Sequence, residues 1–576
     1  MNYKIFLLIG FIILISIPSV FATVDSPYTD KIEILESSCE NNSSNISLNP
    51  DIYITPENYD NYIDNEGNLN SLINSGDTII FSGEFTDKKA IKLSKELIIK
   101  GENAKFTNTC IYICSSNCFI SNLTIINNDS DLFGFFIKDS SNITLLNNYI
   151  EIYDKIRSYG IFVLNSSSST ILNNRIINYG EDLTYSIIGY GCNNSKILNN
   201  TIKTVGTSII HSYENEMNIY NDYSIKECYK TYGIILTYSS GNYIFNNNIN
   251  LSSLISEVEI PESTNTLIGL DLYFGCHNNL VDNNIINIEG KDPYIYGIGV
   301  IGASFDNSKT TSENNSFVNN FVNITGEYYV CGLIAGNKAI NTLFDNNTVI
   351  LKSNNITYGV TLELSQNSTV TNNYINQNAD GNYVMELYDS DNNFIDNNRI
   401  IVDYSKKTNI FSLYASDNNI ITNNPFNIKS SNGNLINTKE DHSDSINIEN
   451  TAFSLFNSDN NKISNNNGNF TNAEESIIKY SKNNLLENNN INSNTQESSS
   501  SVNEKSSSAT YEKGDSGVGD LIDGTSNSKG SNAYYMDEIL SEPTSETYNI
   551  VALICVFVVI IFCYGFLRKS NDDEDE

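Results

Sequence analysis

The chain has 576 residues, with 33 Lys and Arg against 68 Asp and Glu, a net charge of −35 and no Trp. So acidic a composition excludes nucleic-acid binding, which needs clustered cations on phosphates, and suits a soluble, self-repelling exterior. Three His and four Met leave too few soft or imidazole ligands for copper handling, and no cofactor is expected.

Residues 1–22 read as a secretory signal peptide: Lys4, an apolar run from Ile5 to Ile17, then Pro18-Ser19-Val20-Phe21-Ala22, with cleavage after Ala22. Residues 23–50 are polar and Asn/Ser-rich, a loosely ordered leader. Over 51–105, the stretches Asp77–Gly83, Ile91–Leu93 and Leu97–Gly101 are short strands that start a strand array and cap its end.

From 106 to 492 an Asn pair recurs twelve times, with its first Asn at 147, 173, 199, 246, 283, 319, 346, 372, 397, 423, 465 and 488. Taking that Asn as position zero, position −2 is always apolar, from Leu145 and Ile171 to Ile463 and Leu486. Aromatic-Gly pairs stand at −14 and −13, as in Phe133-Gly134, Tyr159-Gly160, Tyr232-Gly233 and Tyr358-Gly359, followed by apolar residues at −12 and −10. Spacing of two is strand spacing, and three short strands per coil of about 26 residues is the arithmetic of a parallel β-helix. About 14 coils at ~4.8 Å would form a rod of roughly 67 Å. Intervals of 47, 37, 36 and 42 exceed one coil and imply insertions, the largest near 204–230, 252–266 and 427–450.

Position −7 is Ser, Cys or Ala in every coil, from Ser140 and Ser166 to Ser458 and Ser481, which predicts a tight inward corner. Cys192 and Cys276 occupy it, and Cys114 is assigned to it in the preceding coil, so these three are expected to be reduced and buried. The pairing of Cys39, Cys110, Cys118, Cys228 and Cys331 stays open. Cys110-x3-Cys114-x3-Cys118 matches no zinc spacing, and no metal site is expected.

After Asn492 the periodicity stops. Residues 493–547 are Ser/Asn/Gly-rich, a disordered stalk. Residues 548–567 form a membrane helix, since Ile550 to Leu567 is uncharged over 18 residues, and Arg568 and Lys569 then place the acidic tail 568–576 in the cytoplasm. The expected localisation is a single-pass cell-membrane protein with an extracellular ectodomain.

Three sets of residues are candidates for function. Glu363 at −9 and Glu386 at −11 are outward diagonal neighbours on adjacent coils, roughly 7–8 Å apart, in the range of an inverting glycosidase; the plainer reading is two solvated carboxylates. Phe136, Phe162, Ile188 and Ile235 form an outward apolar strip at −11, either a docking surface or a patch covered by the 204–230 insertion. Secretion makes Asn122, Asn142, Asn165, Asn315 and Asn469 candidates for glycosylation, whereas Asn199 and Asn346, on the Asn register, are expected to be inaccessible.

The block Ile54-Thr55-Pro56-Glu57-Asn58-Tyr59, then Gly67-Asn68-Leu69-Asn70-Ser71, Ser75–Gly83 and Leu97–Gly101, resembles the opening of the adhesin-like, Asn/Thr-rich surface proteins of methanogenic archaea. The later coils resemble the right-handed β-helix repeats these share with carbohydrate-binding and sugar-hydrolysing domains. The resemblance covers roughly 51–492 and implies an all-β, right-handed parallel β-helix at the cell surface, with glycans or surface proteins of other cells as partners. It supplies no catalytic residues. A surface polysaccharide lyase or hydrolase on the same scaffold, or a structural envelope component, are the alternatives.

Overall fold

The computed structural model describes residues 50–128, 133–154, 157–180, 183–206, 230–253, 266–302, 310–429, 450–470 and 474–492. The signal peptide, nearly all of the leader, the stalk, the membrane segment and the tail lie outside them. Among the described residues no helix is long and apolar enough to cross a membrane.

The chain winds as a parallel β-helix with three strands to a coil, and each strand pairs with its counterpart one coil on. Thr144–Leu146 lies on Thr170–Leu172, Tyr149–Asp154 on Arg175–Gly180, and Arg157–Leu164 on Leu183–Tyr190. The first two kinds of strand build a short-strand face and a middle face, which merge at Ile98–Thr107 into one 29-stranded sheet; the third kind builds a separate 14-stranded face. Fourteen strands on that face match the coil number expected from the repeat.

Three corners close each of the twelve coils, at −8, −5 and zero, and each places a residue in the left-handed region, with the exception of Thr311 at −8. At position zero all twelve Asn have φ between +53° and +58°. Asn tolerates this conformation better than other residues with a Cβ, which is why the repeat is written in Asn. The left-handed residue turns its own side chain outward and aims the next one inward. The second Asn of each pair is therefore the buried one: Asn148 donates from its backbone N–H and Nδ2 to Asn174 Oδ1 at 2.9 and 3.0 Å. The same backbone link continues through Asn200, Asn247, Asn284, Asn320, Asn347, Asn373, Asn398, Asn424 and Asn466 to Asn489.

A second ladder, at −4, repeats the device with Asn242, Asn279 and Asn315 and again with Asn393, Asn419, Asn461 and Asn484. The small residues at −7 form the third: Ser Oγ accepts the N–H of its counterpart in the preceding coil, as from Ser140 to Ser166 at 3.2 Å and from Ser416 to Ser458 at 3.0 Å. Cys192 and Cys276 are buried, unpaired members of it. Burial pushes the Cys276 thiol up to about 12, which suppresses the thiolate. Cys114 departs from expectation and is exposed. The corner of its coil is Asn122, 25 rather than 26 residues before Asn147, so Ser115 falls at −7 and Cys114 outside it. Cys110, Cys118 and Cys331 are buried and unpaired, while Cys39 and Cys228 lie outside the described residues.

Between these polar corners the coil interior is one continuous apolar column, with position −2 buried from Leu145 through Ile463. The aromatic-Gly pairs acquire a reason here. A Cβ on Gly233 would stand 2.5 Å from the Gly269 carbonyl oxygen of the next coil and 2.4 Å from Ile249 Cγ2. Gly233→Ala is therefore expected to cost about 1–3 kcal/mol of overpacking, read as a lower urea midpoint; an unchanged midpoint would contradict this account of the pair.

The coil paths open where the intervals lengthen. Residues 207–229, 254–265 and 430–449, the bulk of the three expected insertions, are outside the described residues. Their described ends all join the middle face to the 14-stranded face: Gly206 to Lys230, Ser253 to Thr266 and Lys429 to Asn450. These three insertions thus enter at one corner, between the middle face and the 14-stranded face, whereas the lengthened interval before Asn319 opens after the 14-stranded face, between Gly302 and Thr310.

Candidate functional site

The outer surface of the 14-stranded face carries carboxyls and phenols among its aromatic rings. Strand alternation places three outward rows on it, and the register identifies them. One runs Phe133, Tyr159, Tyr185, Tyr232, Ile268, Tyr296, Cys331, Tyr358, Tyr383. Beside it runs Phe136, Phe162, Ile188, Ile235, Asp271, Gly299, Ile334, Thr361, Glu386, followed by Ser412. In the third row Glu363 is followed by Tyr388, Tyr414 and Phe456.

The rows change character along the rod. In the first coils they are an aromatic stack, with Phe133–Tyr159 at 5.2 Å, Tyr159–Tyr185 at 5.5 Å and Tyr185–Tyr232 at 5.1 Å between ring centres. Phe136 and Phe162 stack beside it at 4.9 Å. The expected strip at −11 is therefore only partly open: Phe136, Phe162 and Ile188 are half-buried, but Ile235 is 1% exposed, packed among Tyr185, Tyr232 and Ile268.

In the central coils outward-pointing groups are buried, including Lys230, Tyr232, Asp271, Tyr273, Tyr296 and Glu363. Gly299 makes room for the Asp271 carboxylate, since a Cβ there would lie 2.8 Å from Oδ1. Burial pushes Asp271 up to about 7 even though Lys230 pulls the other way.

Glu363 and Glu386 are brought together as the sequence implied. Thr361 pairs with Glu386 and Glu363 with Tyr388, so the two carboxylates are diagonal neighbours. The plainer reading of both as solvated does not hold, because Glu363 is 0% exposed. Burial first, and then the Glu363 charge, push the half-buried Glu386 up to about 7. Tyr358 and Tyr383, stacked at 5.2 Å, stand beside Glu386, and burial followed by its charge raises the Tyr383 phenol to about 12. The half-buried Glu386 carboxyl and the two phenols can donate and accept protons around one ligand, with Glu363 buried behind them.

Beyond Glu386 the face opens. Tyr388 and Tyr414 are 39% and 40% exposed, lie parallel at 5.0 Å, and continue onto Phe456 at 5.1 Å.

The family model for the right-handed β-helix region matches residues 91–250, less than half of the chain. No characterised protein sequence matches it. Among solved structures it is similar to PfbA, a surface adhesin of Streptococcus pneumoniae, at 14% identity and a TM-score of 0.37, over 62% of this chain and 85% of that one. It is also similar to the A-module of the mannuronan C-5 epimerase AlgE6 of Azotobacter vinelandii, at 11% identity and a TM-score of 0.33, over 62% and 91%. The periplasmic alginate epimerase AlgG, as a double mutant, is similar at 12% identity and a TM-score of 0.32, over 76% and 83%. Likenesses this distant do not distinguish adhesin from enzyme.

The glycosylation candidates divide by corner. Asn122, Asn142 and Asn165 are left-handed corner residues and exposed, and Asn469 is exposed on a strand. Asn315 is a correction: it is 0% exposed on the −4 ladder, donating to the Cys276 carbonyl at 2.7 Å. The acceptor triplet there is Asn314-Asn315-Ser316, whose Asn is residue 314. Asn199 and Asn346 reverse their expectation as well, half-buried and exposed respectively, because position zero points outward and its successor inward.

The sequence reading missed the tyrosine ladder, although its signal was present. Tyr388, Tyr414 and Phe456 occupy position −9, the same register that placed Glu363.

Proposed function

We propose that this is an adhesin-like, non-enzymatic cell-surface protein that binds glycans or surface proteins of other cells through the outer surface of its 14-stranded face. The open Tyr388–Tyr414–Phe456 ladder beside Glu386 and Ser412 carries the reading. Rigid stacked rings offer apolar area at small side-chain entropy cost, while the phenol and carboxyl groups at their edge meet a polar ligand. The signal peptide and the 548–567 segment would hold the rod at the cell membrane, in keeping with the resemblance to methanogen surface proteins. A glycan and cell-binding array with the full-length chain tests it. Tyr388→Ala with Tyr414→Ala should weaken binding at least tenfold with unchanged circular dichroism, and undiminished binding would reject this surface.

The Glu363–Glu386 pair favours a second reading, a polysaccharide hydrolase in which Glu386 is the general acid. Release of reducing sugar from a glycan panel, abolished by Glu386→Gln, would establish it. No release from any glycan leaves the binding role.

A further inference from the structure

The middle face carries a groove of about 410 Å³ on the opposite side of the insertion corner from the tyrosine ladder. Its floor is one outward row, in which Ile177, Lys203, Asn250, Asn287 and Asn323 follow each other coil by coil. The three amides stand at the ~4.8 Å spacing of the strands, each offering a donor and an acceptor, and Asn287 Nδ2 reaches Asn250 Oδ1 at 3.2 Å. Asn side chains in the coil interior serve the backbone, but these three are half-buried and face outward.

One end of the groove is lined by Arg175 and Lys203, and past it, outside the lining, Tyr149 and Tyr153 donate their hydroxyl protons to Glu151. Tyr153 and Tyr179 stack at 4.6 Å with planes 3° apart, and Tyr153 is 39% exposed. Lys203 Nζ lies 3.3 Å from Tyr179 OH, and Arg175 lies over the Tyr149 ring. Neither cation enters an ion pair among the described residues, in a chain with 68 acidic side chains. Glu289 lines it two coils on from Lys203, and Asn323 and Thr325 line the far end.

We infer that this groove is a binding site for a linear oligosaccharide lying along the rod axis, with an acidic substituent at the Lys203 and Arg175 end. Evenly spaced amides suit a polymer with hydroxyls on every unit, and the two cations suit a carboxylate or sulfate on it. The site is separate from the tyrosine ladder of the 14-stranded face and stands whether or not that face binds anything.

The test uses the full-length chain in detergent micelles against hexasaccharides of hyaluronan, chondroitin sulfate and oligogalacturonate, with chitohexaose and cellohexaose as neutral counterparts and hexaglutamate as a charge control. At least one acidic hexasaccharide should bind. Lys203→Glu with Arg175→Glu should weaken it at least tenfold, and Asn250→Ala with Asn287→Ala should weaken acidic and neutral chains alike. Lys352→Glu, on the same face outside the groove, should change affinity less than twofold. Absence of binding by every acidic hexasaccharide overturns the inference. So does equal binding of hexaglutamate, or affinity that survives both groove variants and falls only with Tyr388→Ala and Tyr414→Ala; that last result would move the saccharide to the tyrosine ladder.

Discussion

Replacing Asn284 by Ala should lower stability by about 2–6 kcal/mol, whereas the same change at Asn283, one residue earlier, should cost only about 1 kcal/mol. Asn284 Oδ1 accepts the backbone N–H and the Nδ2 of Asn247, both at 2.9 Å, and its Nδ2 donates to the Ile244 carbonyl at 3.0 Å and to Asn320 Oδ1 at 3.0 Å. Alanine removes every one of these and leaves the buried Asn247 N–H without its acceptor, at about 1–3 kcal/mol for each buried group so stranded. Asn283 is exposed and held at φ +55°, and its Nδ2 donates to Asn246 Oδ1 at 3.3 Å where water can replace it, so alanine there meets chiefly the left-handed penalty. Asn284→Asp should be worse than alanine, because a carboxylate loses the donors and adds a charge within the ladder. In a stacked array the damage falls first on neighbouring coils. Urea unfolding should therefore be read together with amide exchange in Asn248–Ser253 and Ile285–Glu289. If Asn284→Ala unfolds within error of the parent chain, the ladder does not hold the coils as described.

The contrast between these two neighbours shows where the sequence was legible. The period and the apolar position −2 required nothing beyond strand spacing, and a β-helix follows from them. What the pair did not reveal was which Asn faces inward. That depends on the left-handed φ of the first, a conformation that Asn permits but does not impose. Misplacing it made Asn199 and Asn346 look buried, whereas Asn315 was misassigned within its own triplet, whose acceptor is Asn314. At the candidate site, register alone placed Glu363 beside Glu386, since diagonal neighbours follow from alignment. Their environment could not be read in the same way. Whether an outward carboxylate is solvated depends on what lies over the sheet, and periodicity carries no information about that. The same holds for Ile235, equivalent by register to Phe136 yet fully packed.

Stability should fall as pH rises from about 4 to about 7, the reverse of a protein held by ionised carboxylates. Asp271 is raised from 3.8 to about 7, Asp292 to about 6 and Glu386 from 4.5 to about 7, in each case chiefly by burial. Each group thus binds its proton more tightly folded than unfolded. Between the two values the folded chain carries more protons than the unfolded chain, so the slope of unfolding free energy against pH is negative in that window. The contribution is present in full below the unfolded values and is lost as pH passes the folded ones. For Asp271, fully buried, a tenfold change in proton affinity is about 1.4 kcal/mol, which makes the loss on the order of 4 kcal/mol by pH 8. The net charge of −35 adds self-repulsion of the same sign, so the parent chain alone does not isolate the effect. The variants do. Asp271→Asn should match the parent near pH 3 and exceed it at pH 8, flattening the dependence of the urea midpoint, and Glu386→Gln should flatten it less because Glu386 is only half-buried. A midpoint–pH slope in Asp271→Asn as steep as the parent's would mean that this carboxyl is ionised in the folded rod, and that Lys230 rather than burial governs it.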